Sequence, residues 1–259
     1  MIFCNLGSGS KGNATYIESG KTALLIDQGF SNKEICRRMQ EIKLHPEVIR
    51  AIVLTHDHGD HYRGIGVFAR KFKIPVYMTR LTQSVLPENV LKKIIVKHFT
   101  AGDTLQIGDI QLKSFHIPHD ATDPVGFIIS GNGKNIAHLT DIGKPLQSVI
   151  YQLREYDFNL VFLESNHDPV LLKTGPYPLK VQMRIKSRDG HLSNEESLEL
   201  FQQLKQNGTM KHLILAHLSE ENNHRDLVIK LFEDFRVKNA HKFKISIAEQ
   251  SKPTAIIKL

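Results

Sequence analysis

Residues 55–61 read "THDHGDH", and they follow directly after the apolar run "AIVL" at residues 51–54. Five of these seven side chains are imidazoles or carboxylates. In an extended segment alternate side chains point the same way, so His56 and His58 should project to one side. Gly59 then permits a sharp turn, which allows the following residues to face the same space.

Asp60 and His61 come directly after that turn, at the predicted start of a helix. Together with His56 and His58 they place four ligand-type groups within one short segment, so no contact between distant parts of the chain is needed to bring them together. Imidazole nitrogens and carboxylate oxygens suit zinc and similar divalent metals. The alternative is a polar surface loop with chance histidines, but H-x-H-x-D-H after an apolar strand is a dense and specific pattern.

The whole chain has an ordinary globular composition. It has 259 residues, 41% of them hydrophobic and 24% charged, which allows one large domain or two small ones. No linker or low-complexity segment divides it, so we predict one domain over residues 1–259. The sequence predicts neither a signal peptide nor a membrane span, and Cys4 and Cys36 are expected to be free thiols in a reducing cytosol, which indicates a cytoplasmic protein.

The charge balance is more informative. The formal net charge is +7 and the pI is about 9.3. A basic surface attracts polyanions such as nucleic acid. Many basic proteins never bind DNA, so this indication needs a site to support it.

Strands and helices follow from hydrophobic periodicity. Antiparallel strand patterns with a Gly/Asn turn at "SGNGKN" (residues 130–135) precede a C-terminal half in which strands and helices alternate. We therefore predict an α/β (α+β) protein with two sheets faced by helices. The helices are predicted in four segments: "NKEICRRMQEI" (32–42), "DHYRGIGVFARKFK" (60–73), "NEESLELFQQLKQNG" (194–208) and "RDLVIKLFEDF" (225–235).

The stretch "THDHGDH" resembles the signature of the metallo-β-lactamase superfamily. This resemblance implies an αββα sandwich, in which two facing mixed β-sheets are flanked by helices. It also implies that His56 and His58 bind one divalent metal ion and that Asp60 and His61 bind a second.

The resemblance implies three further ligands at later strand ends. His119 in "IPHDA" matches the third ligand of the first metal and is preferred over His116, which lies within a strand pattern. Asp141 in "AHLTDIG" matches the bridging carboxylate, whereas His138 is expected to be an ordinary strand histidine. His217 in "LILAHLS" matches the last ligand of the second metal. Zinc suits this ligand set best, and manganese or iron could occupy it.

Two adjacent metal ions favour hydrolysis. Water held between them has a lowered pKa and acts as a hydroxide at neutral pH, and the metals stabilise charge on an ester or phosphodiester oxygen. The fold therefore implies a metal-dependent hydrolase, but it does not name the substrate.

"LESNHD" (residues 163–168) and "DGHLSN" (189–194) narrow the reaction. The order of Glu164, His191 and His217 is similar to the phosphodiesterase branch of the superfamily, notably the tRNA 3′-processing ribonucleases. There a Glu–His pair beside the metals protonates the leaving oxygen. For His191 the alternative is a surface residue at a helix start.

The match is closer to one branch, the WalJ/YycJ-type nucleases with this fold, regarded as exonucleases on double-stranded DNA ends. The resemblance rests on six stretches: "LGSGSKGN", "HDATDPVGF", "LESNHD", "YPLKVQMRI", "GHLSN" and "AHLSEENN". The chain has neither the long insertion of the β-CASP nucleases nor the Gly-rich arm of the tRNA-processing enzymes. We therefore expect a nuclease, with Asp60, Glu164 and His191 as catalytic residues.

Substrate binding is assigned on weaker grounds. "GSGSKGN" (residues 7–13) is either a tight turn or a loop that supports the site. The basic stretch before His191 is either a substrate track or a solvated face. His167 is either a substrate contact or, with Asp168, part of a hydrogen-bonded loop. The proposed substrate-binding residues are Ser8, Ser10, Asn166, His167, Lys180, Arg184, Lys186 and Arg188.

Two alternatives to a DNA exonuclease remain. The first is another hydrolase on this fold: a ribonuclease, a cyclic phosphodiesterase, a thioesterase or a lactonase. The second is a non-catalytic nucleic-acid-binding or signalling module, which is disfavoured because all seven ligand positions are filled.

Overall fold

The fold consists of two mixed sheets, seen in a computed structural model that describes residues 1–205 and 208–259. The strands of the first sheet are, in spatial order, β14 (Ile257–Lys258), β1 (Ile2–Gly7), β2 (Ala14–Ser19), β3 (Thr22–Ile26), β4 (Ile49–Val53), β5 (Pro75–Thr79) and β6 (Ile95–Phe99). Those of the second are β13 (Lys244–Ile247), β12 (His212–Ala216), β11 (Leu160–Glu164), β10 (Lys134–Leu139), β9 (Val125–Gly131), β8 (Ile110–His116) and β7 (Thr104–Ile107).

Both sheets follow the same plan. Each begins with antiparallel hairpins and continues with parallel strands, β3 to β6 in the first sheet and β10 to β13 in the second. The predicted turn joins β9 to β10 through Asn132 and Gly133, which have φ of 49° and 68°. A two-residue Asn-Gly turn of this hand matches the twist of a hairpin.

Helices cover the outer faces of both sheets. They are α1 (Asn32–Glu41), α2 (Gly59–Tyr62), α3 (Ile65–Phe72), α4 (Arg80–Val85), α5 (Glu88–Leu91), α6 (Gln147–Arg154), α7 (Pro169–Thr174), α8 (Leu179–Lys186), α9 (Asn194–Gln203) and α10 (Arg225–Lys238). The predicted positions of α1, α9 and α10 are confirmed, but two predicted boundaries are not.

The prediction of one helix over residues 60–73 is wrong, because Gly64 separates α2 from α3. A continuous helix would pair the Gly64 N–H with the Asp60 carbonyl. Instead the Gly64 N–H donates to the Gln28 carbonyl (3.0 Å), and the Asp60 carbonyl accepts from the Asn13 N–H (2.8 Å). A Cβ at residue 64 would lie 1.8 Å from the Phe30 carbonyl oxygen, so only glycine fits there.

The predicted helix over residues 194–208 is shorter than expected. It ends at Gln203, after which Leu204 has extended backbone angles (φ −76°, ψ 158°). Gln206 and Asn207 lie outside the described residues.

Three apolar layers hold the sheets and helices together. One lies between the two sheets and includes Phe3, Phe127 and Phe162. A second packs the first sheet against α1 and α3, and a third packs the second sheet against α6, α9 and α10. These layers confirm the predicted αββα sandwich.

The beginning of α9 carries a capping box. The Ser193 Oγ accepts from the Glu196 N–H (3.2 Å), and the Glu196 carboxylate accepts from the Ser193 N–H (3.0 Å). Each contact satisfies a backbone donor that the helix itself leaves unpaired.

We expect Ser193→Ala to lower the free energy of unfolding by about 0.5–2 kcal/mol, because the cap is lost. Urea denaturation measures this change. The exposed Ser251→Ala serves as the control and should change stability by less than about 0.5 kcal/mol. An unchanged midpoint in Ser193→Ala would contradict the role of the cap.

Three smaller features complete the fold. Strand β6 is an edge of the first sheet. Cys4 and Cys36 are free thiols, as expected. Among the described helices, none is long and apolar enough to cross a membrane.

Candidate metal centre and active site

The candidate site lies where strands end. Asp141, Glu164 and His217 follow or end the adjacent parallel strands β10, β11 and β12, whose carboxyl ends meet at one edge of the second sheet. The segment "THDHGDH" follows β4 of the first sheet. Carboxyl ends of parallel strands are where such sheets place ligand-binding residues.

Tight turns bring these side chains inward. Asp141 and His217 have left-handed φ values of 53° and 54°, and Asp27, directly after β3, has 61°. Such angles are uncommon for non-glycine residues, although Asp and His tolerate them better than most. Each residue turns the chain at the end of its strand.

The first ligand cluster consists of His56, His58 and His119. One ring nitrogen of each lies within 4.8 Å of the others, and His119 Nε2 is 3.2 Å from His58 Nδ1. His116 has an exposed side chain that pairs with Asp123 (3.4 Å). The structure therefore brings together the three histidines proposed for the first metal and leaves His116 outside.

The second cluster consists of Asp60, His61 and His217, whose ligand atoms also lie within 4.8 Å of one another. Asp141 lies between the clusters. Its Oδ2 is 3.2 Å from His61 Nε2, and its Oδ1 is 3.4 Å from His217 Nδ1 and 3.9 Å from His119 Nε2. This position matches the one proposed for a bridging carboxylate.

Several of these atoms need a partner. His56 Nε2, Asp141 Oδ2 and His217 Nδ1 are buried and have no hydrogen-bond partner among the described residues. Buried polar atoms are normally satisfied. Imidazole nitrogens and carboxylate oxygens without donors suit divalent metal ions. The residues present therefore fit two metal ions.

His138 has a structural place instead. It is buried, its Nε2 contacts the Thr15 hydroxyl (3.2 Å), and its ring packs against Phe162. The prediction of an ordinary strand histidine is confirmed.

The electrostatics of the two clusters differ. Burial lowers the pKa of His56 well below its ordinary value and that of His119 to about 4. Burial also acts on His61 and His217, but the Asp141 carboxylate opposes it. The Asp141 and Asp27 carboxylates raise the pKa of His61 well above its ordinary value. The Asp141 and Glu164 carboxylates raise the pKa of His217 to about 9. Metals entering the second cluster therefore displace protons.

Hydrogen bonds from neighbouring side chains orient the proposed ligands. The Asp27 carboxylate lies 2.8 Å from His61 Nδ1 and accepts from the N–H (2.8 Å) and hydroxyl of Thr55. The Thr55 hydroxyl also contacts His56 Nδ1 (2.9 Å). Such contacts fix ring orientation and tautomer in metal sites.

Sequence reasoning missed Asp27. A signal existed, since "LLIDQG" and "HLTDIG" each place an aspartate after an apolar strand and two residues before a glycine. Asp27 supports His61, whereas Asp141 in the second stretch lies among the ligands.

The segment "GSGSKGN" is a supporting loop as well as a turn. The Ser8 Oγ accepts from the His217 N–H (3.0 Å). The Asn13 Nδ2 lies 3.0 Å from Asp60 Oδ2 and 2.9 Å from His61 Nε2. Ser8 is buried, and its contact is with the backbone of a proposed ligand residue.

Glu164 and His191 form a close pair. His191 Nδ1 is 2.9 Å from Glu164 Oε1, and the fully buried Glu164 also accepts from the Ile142 N–H (3.0 Å) and the Leu192 N–H (3.2 Å). Burial raises the pKa of Glu164, but His191 and His217 outweigh it and lower that pKa to about 2. An ionised carboxylate only accepts, so Nδ1 of His191 carries a proton and Nε2 is free for another partner.

His191 also lies against the metal clusters. Its ring centroid is 5.0 Å from that of His119 and 5.2 Å from that of His217. Its side chain is 17% exposed, so it can reach a molecule bound outside.

A groove of about 360 Å³ opens beside His191 and His217, between α8 and the segment after β12. We call it the His191 groove. Its lining residues are Gly9, Ser10, Asn166, Tyr177, Val181, Arg184, Ile185, His191, His217, Leu218, Ser219, Glu220 and Glu221. Of the proposed substrate-binding residues, it is lined by Ser10, Asn166 and Arg184.

The other proposed substrate-binding residues lie elsewhere. His167 is buried, and burial lowers its pKa to about 4. Its neighbour Asp168 caps α7, in line with the hydrogen-bonded-loop alternative. Lys180, Lys186 and Arg188 are exposed on or just after α8. These three residues are close in sequence to residues that line the groove, but they do not line it themselves.

Arg184 is already engaged. It forms an ion pair with Asp120, whose Oδ1 is 3.6 Å from His119 Nε2 and 3.9 Å from His58 Nε2. Asp120 was not singled out from the sequence, because its contact with α8 spans 64 residues of chain.

Comparison with known proteins places this geometry in context. A family model described as "Beta-lactamase superfamily domain" matches residues 22–218. Exodeoxyribonuclease WalJ of Streptococcus pneumoniae serotype 2 is 38% identical to the chain, over 86% of it and 83% of that protein. Exodeoxyribonuclease YycJ of Bacillus anthracis is 33% identical, over 99% and 98% respectively. The crystal structure of Zn²⁺-bound PqqB from Methylobacterium extorquens matches with a TM-score of 0.72 at 14% identity, covering 100% of both chains, and so shares the fold.

Proposed function

This chain belongs to the β-lactamase superfamily and, within it, to the family of the WalJ and YycJ exodeoxyribonucleases, and from that premise we propose that it is a two-metal-dependent exonuclease acting on double-stranded DNA. The observation that carries the proposal is the Glu164–His191 pair beside the metal clusters (2.9 Å). A DNA strand leaves as a basic alkoxide that needs a proton, whereas a thiolate leaving group does not. A positioned imidazole supplies such a proton.

We assign the metal ligands as the sequence resemblance implies. His56, His58 and His119 would hold one ion, Asp60, His61 and His217 the other, and Asp141 would lie between them. When bound, such ions lower the pKa of water and stabilise charge on a phosphodiester oxygen. Zinc suits nitrogen-rich ligand sets of this kind, and manganese and iron are the competing occupants.

The side chains of the protein perform the remaining steps. Asp60, held at Oδ2 by Asn13, would orient the attacking water as well as bind metal. Glu164 keeps the proton of His191 on Nδ1 and stabilises the imidazolium. His191 then transfers its second proton, from Nε2, to the oxygen that leaves.

One experiment tests this function. Purified protein is incubated with Mn²⁺ or Zn²⁺ and with end-labelled duplex DNA, single-stranded DNA, RNA or a panel of thioesters. We expect metal-dependent release of nucleotides from duplex ends, with Asp141→Ala as the control for contaminating nucleases. Turnover of thioesters or RNA in preference to duplex DNA would replace the proposal, and binding without hydrolysis would indicate a non-catalytic module.

We propose that the exposed cations of α8 contact the DNA backbone. Lys180 and Lys186 are exposed and make no ion pair among the described residues. Arg184 is a poorer probe, since its removal would leave Asp120 unpaired beside the first cluster.

The double variant Lys180→Ala/Lys186→Ala should therefore weaken DNA binding while metal content stays constant. Each lost phosphate contact should reduce the slope of log affinity against log salt by about 0.9. Fluorescence anisotropy at several salt concentrations measures that slope.

Lys230→Ala/Lys238→Ala provides the matched control, because both lysines are exposed on α10. This variant removes the same charge away from α8 and should leave the slope nearly unchanged. Equal slopes in all three proteins would identify the α8 lysines as a solvated face.

We place the protein in the cytoplasm as one domain over residues 1–259. The free thiols of Cys4 and Cys36 support a reducing compartment. The net charge of +7 supports nucleic acid as its partner.

A further inference from the structure

The His191 groove has one apolar wall. Val181 and Ile185 lie on one face of α8, Tyr177 precedes the helix, and Leu218 lies opposite in the segment after β12. This concentration of apolar and aromatic side chains is unexpected beside a centre that handles charged phosphate. It favours contact with an uncharged, flat part of the substrate.

The charged side chains of the groove do not favour a second phosphate. Glu220 and Glu221 line the groove, and Glu220 is held by Lys11 (2.8 Å) and Gln250 (2.6 Å). The groove has three basic side chains among the described lining residues: Arg184, which Asp120 engages, His191, which pairs with Glu164, and His217, which lies beside Asp141 and Glu164. The groove therefore offers little attraction to a second phosphate, while the exposed lysines of α8 lie outside it.

Tyr177 is suited to receive a base. It lies between Pro176 and Pro178, which restrict the backbone on both sides. The Gln182 side chain also donates to its carbonyl (2.9 Å). An aromatic ring on a restricted backbone loses little conformational entropy when a base stacks on it.

The position of the groove relative to His191 identifies its occupant. In the proposed function His191 protonates the leaving oxygen. When the P–O3′ bond is broken at a 5′ end, that oxygen is O3′ of the terminal nucleotide, so the released nucleoside then lies on the side of His191. We propose that the His191 groove binds the base of the single 5′-terminal nucleotide that is released, stacked on Tyr177 and flanked by Val181 and Ile185. This proposal rests on the proposed function and extends it to how the end of a strand is held.

Two properties of the reaction follow. A groove of about 360 Å³ is at the small end of ligand pockets and matches one nucleoside, so we expect mononucleotides as the product. The terminal nucleotide must also leave the base stack to enter, which is easier at a mismatched end.

The test removes the base and the ring separately. The substrates are duplexes with an unpaired terminal nucleotide that either carries its base or is abasic. Base stacking on an aromatic ring is worth about 1–3 kcal/mol, so loss of the base should slow release of the first nucleotide by about 10- to 100-fold in the wild-type protein. Tyr177→Leu should slow release of the base-bearing nucleotide to a similar extent, and the two changes together should be no slower than either alone.

Two variants serve as controls. Tyr177→Phe keeps the ring and should keep the dependence on the base. Met183→Ala changes an exposed side chain that is not in the groove and should behave as wild type. Metal content and thermal unfolding establish that each variant is folded, and Val181→Asp, which places charge on the same wall, gives a second probe.

The outcomes separate this inference from the function on which it rests. If DNA is degraded but the abasic end is released as fast as the normal one, the base is not bound and the inference is wrong while the function stands. If the base matters but Tyr177→Leu and Val181→Asp slow both substrates equally, the base lies elsewhere. If no DNA end is degraded, the proposed function fails and the inference with it.

Discussion

The Asp141→Ala variant is expected to hydrolyse neither DNA nor an activated phosphodiester and to carry less metal than the wild-type protein. Asp141 faces both clusters, with oxygens 3.2 Å from His61 Nε2 and 3.4 Å from His217 Nδ1. If Asp141 lies between two metal ions as proposed, its removal would take a ligand from both sites and a negative charge from between them. Loss of activity to background follows, since two-metal hydrolysis needs both ions in place.

Metal analysis after gel filtration measures this effect beside the activity assay. Asp226→Ala is the matched control, because it removes an exposed carboxylate on α10 and should change neither quantity. Full activity in Asp141→Ala would remove the two-metal proposal. Loss of activity with full metal content would instead give Asp141 a role other than ligand.

His191→Ala should lower kcat by about 10²- to 10⁴-fold and leave KM and metal occupancy nearly unchanged. The reason is that proton transfer to the leaving oxygen occurs only in the transition state. His191 is absent from the ligand set proposed for either metal, although its ring lies 5.0 Å from that of His119. Steady-state kinetics and metal analysis together separate these quantities.

A substrate with a good leaving group provides the sharper control. A nitrophenyl phosphodiester leaves as a stabilised phenolate and needs no proton, so it should selectively rescue His191→Ala. Equal impairment on both substrates, or loss of metal, would falsify the assignment of His191 as the proton donor.

Glu164→Gln should show a kinetic loss of the same kind, together with lower stability. The buried carboxylate accepts from His191, from the Ile142 N–H and from the Leu192 N–H. An amide nitrogen in place of one oxygen would face a donor and leave it unpaired, at a cost of about 1–3 kcal/mol. The double variant with His191→Ala should be little slower than the worse single variant.

The sequence brought the proposed ligands to notice because His56, Asp141 and His217 closely follow apolar runs, and the family resemblance supplied their roles. His56 and His58 are paired by the period of an extended chain, and Asp141 and His217 end strands that periodicity alone predicts. The αββα arrangement followed from hairpins succeeded by strand–helix alternation, together with the family resemblance.

The parts that sequence did not predict depend on distant contacts. Gly64 breaks the helix because the Gln28 and Phe30 backbones approach it. The pairing of Arg184 with Asp120 depends on how α8 folds over the site. Hydrophobic periodicity carries no information on such contacts, so neither could be read from local pattern.

The left-handed backbone angles of Asp27, Asp141 and His217 reduce the stability of the fold. Glycine would adopt these angles without steric cost, whereas an aspartate or histidine there costs on the order of 1–3 kcal/mol. The free energy of unfolding of a whole domain is only about 5–15 kcal/mol, so the strain at three such positions is a substantial fraction of it. Asp27, Asp141 and His217 therefore exchange part of the stability of the fold for side chains at the candidate metal centre, which glycine could not supply.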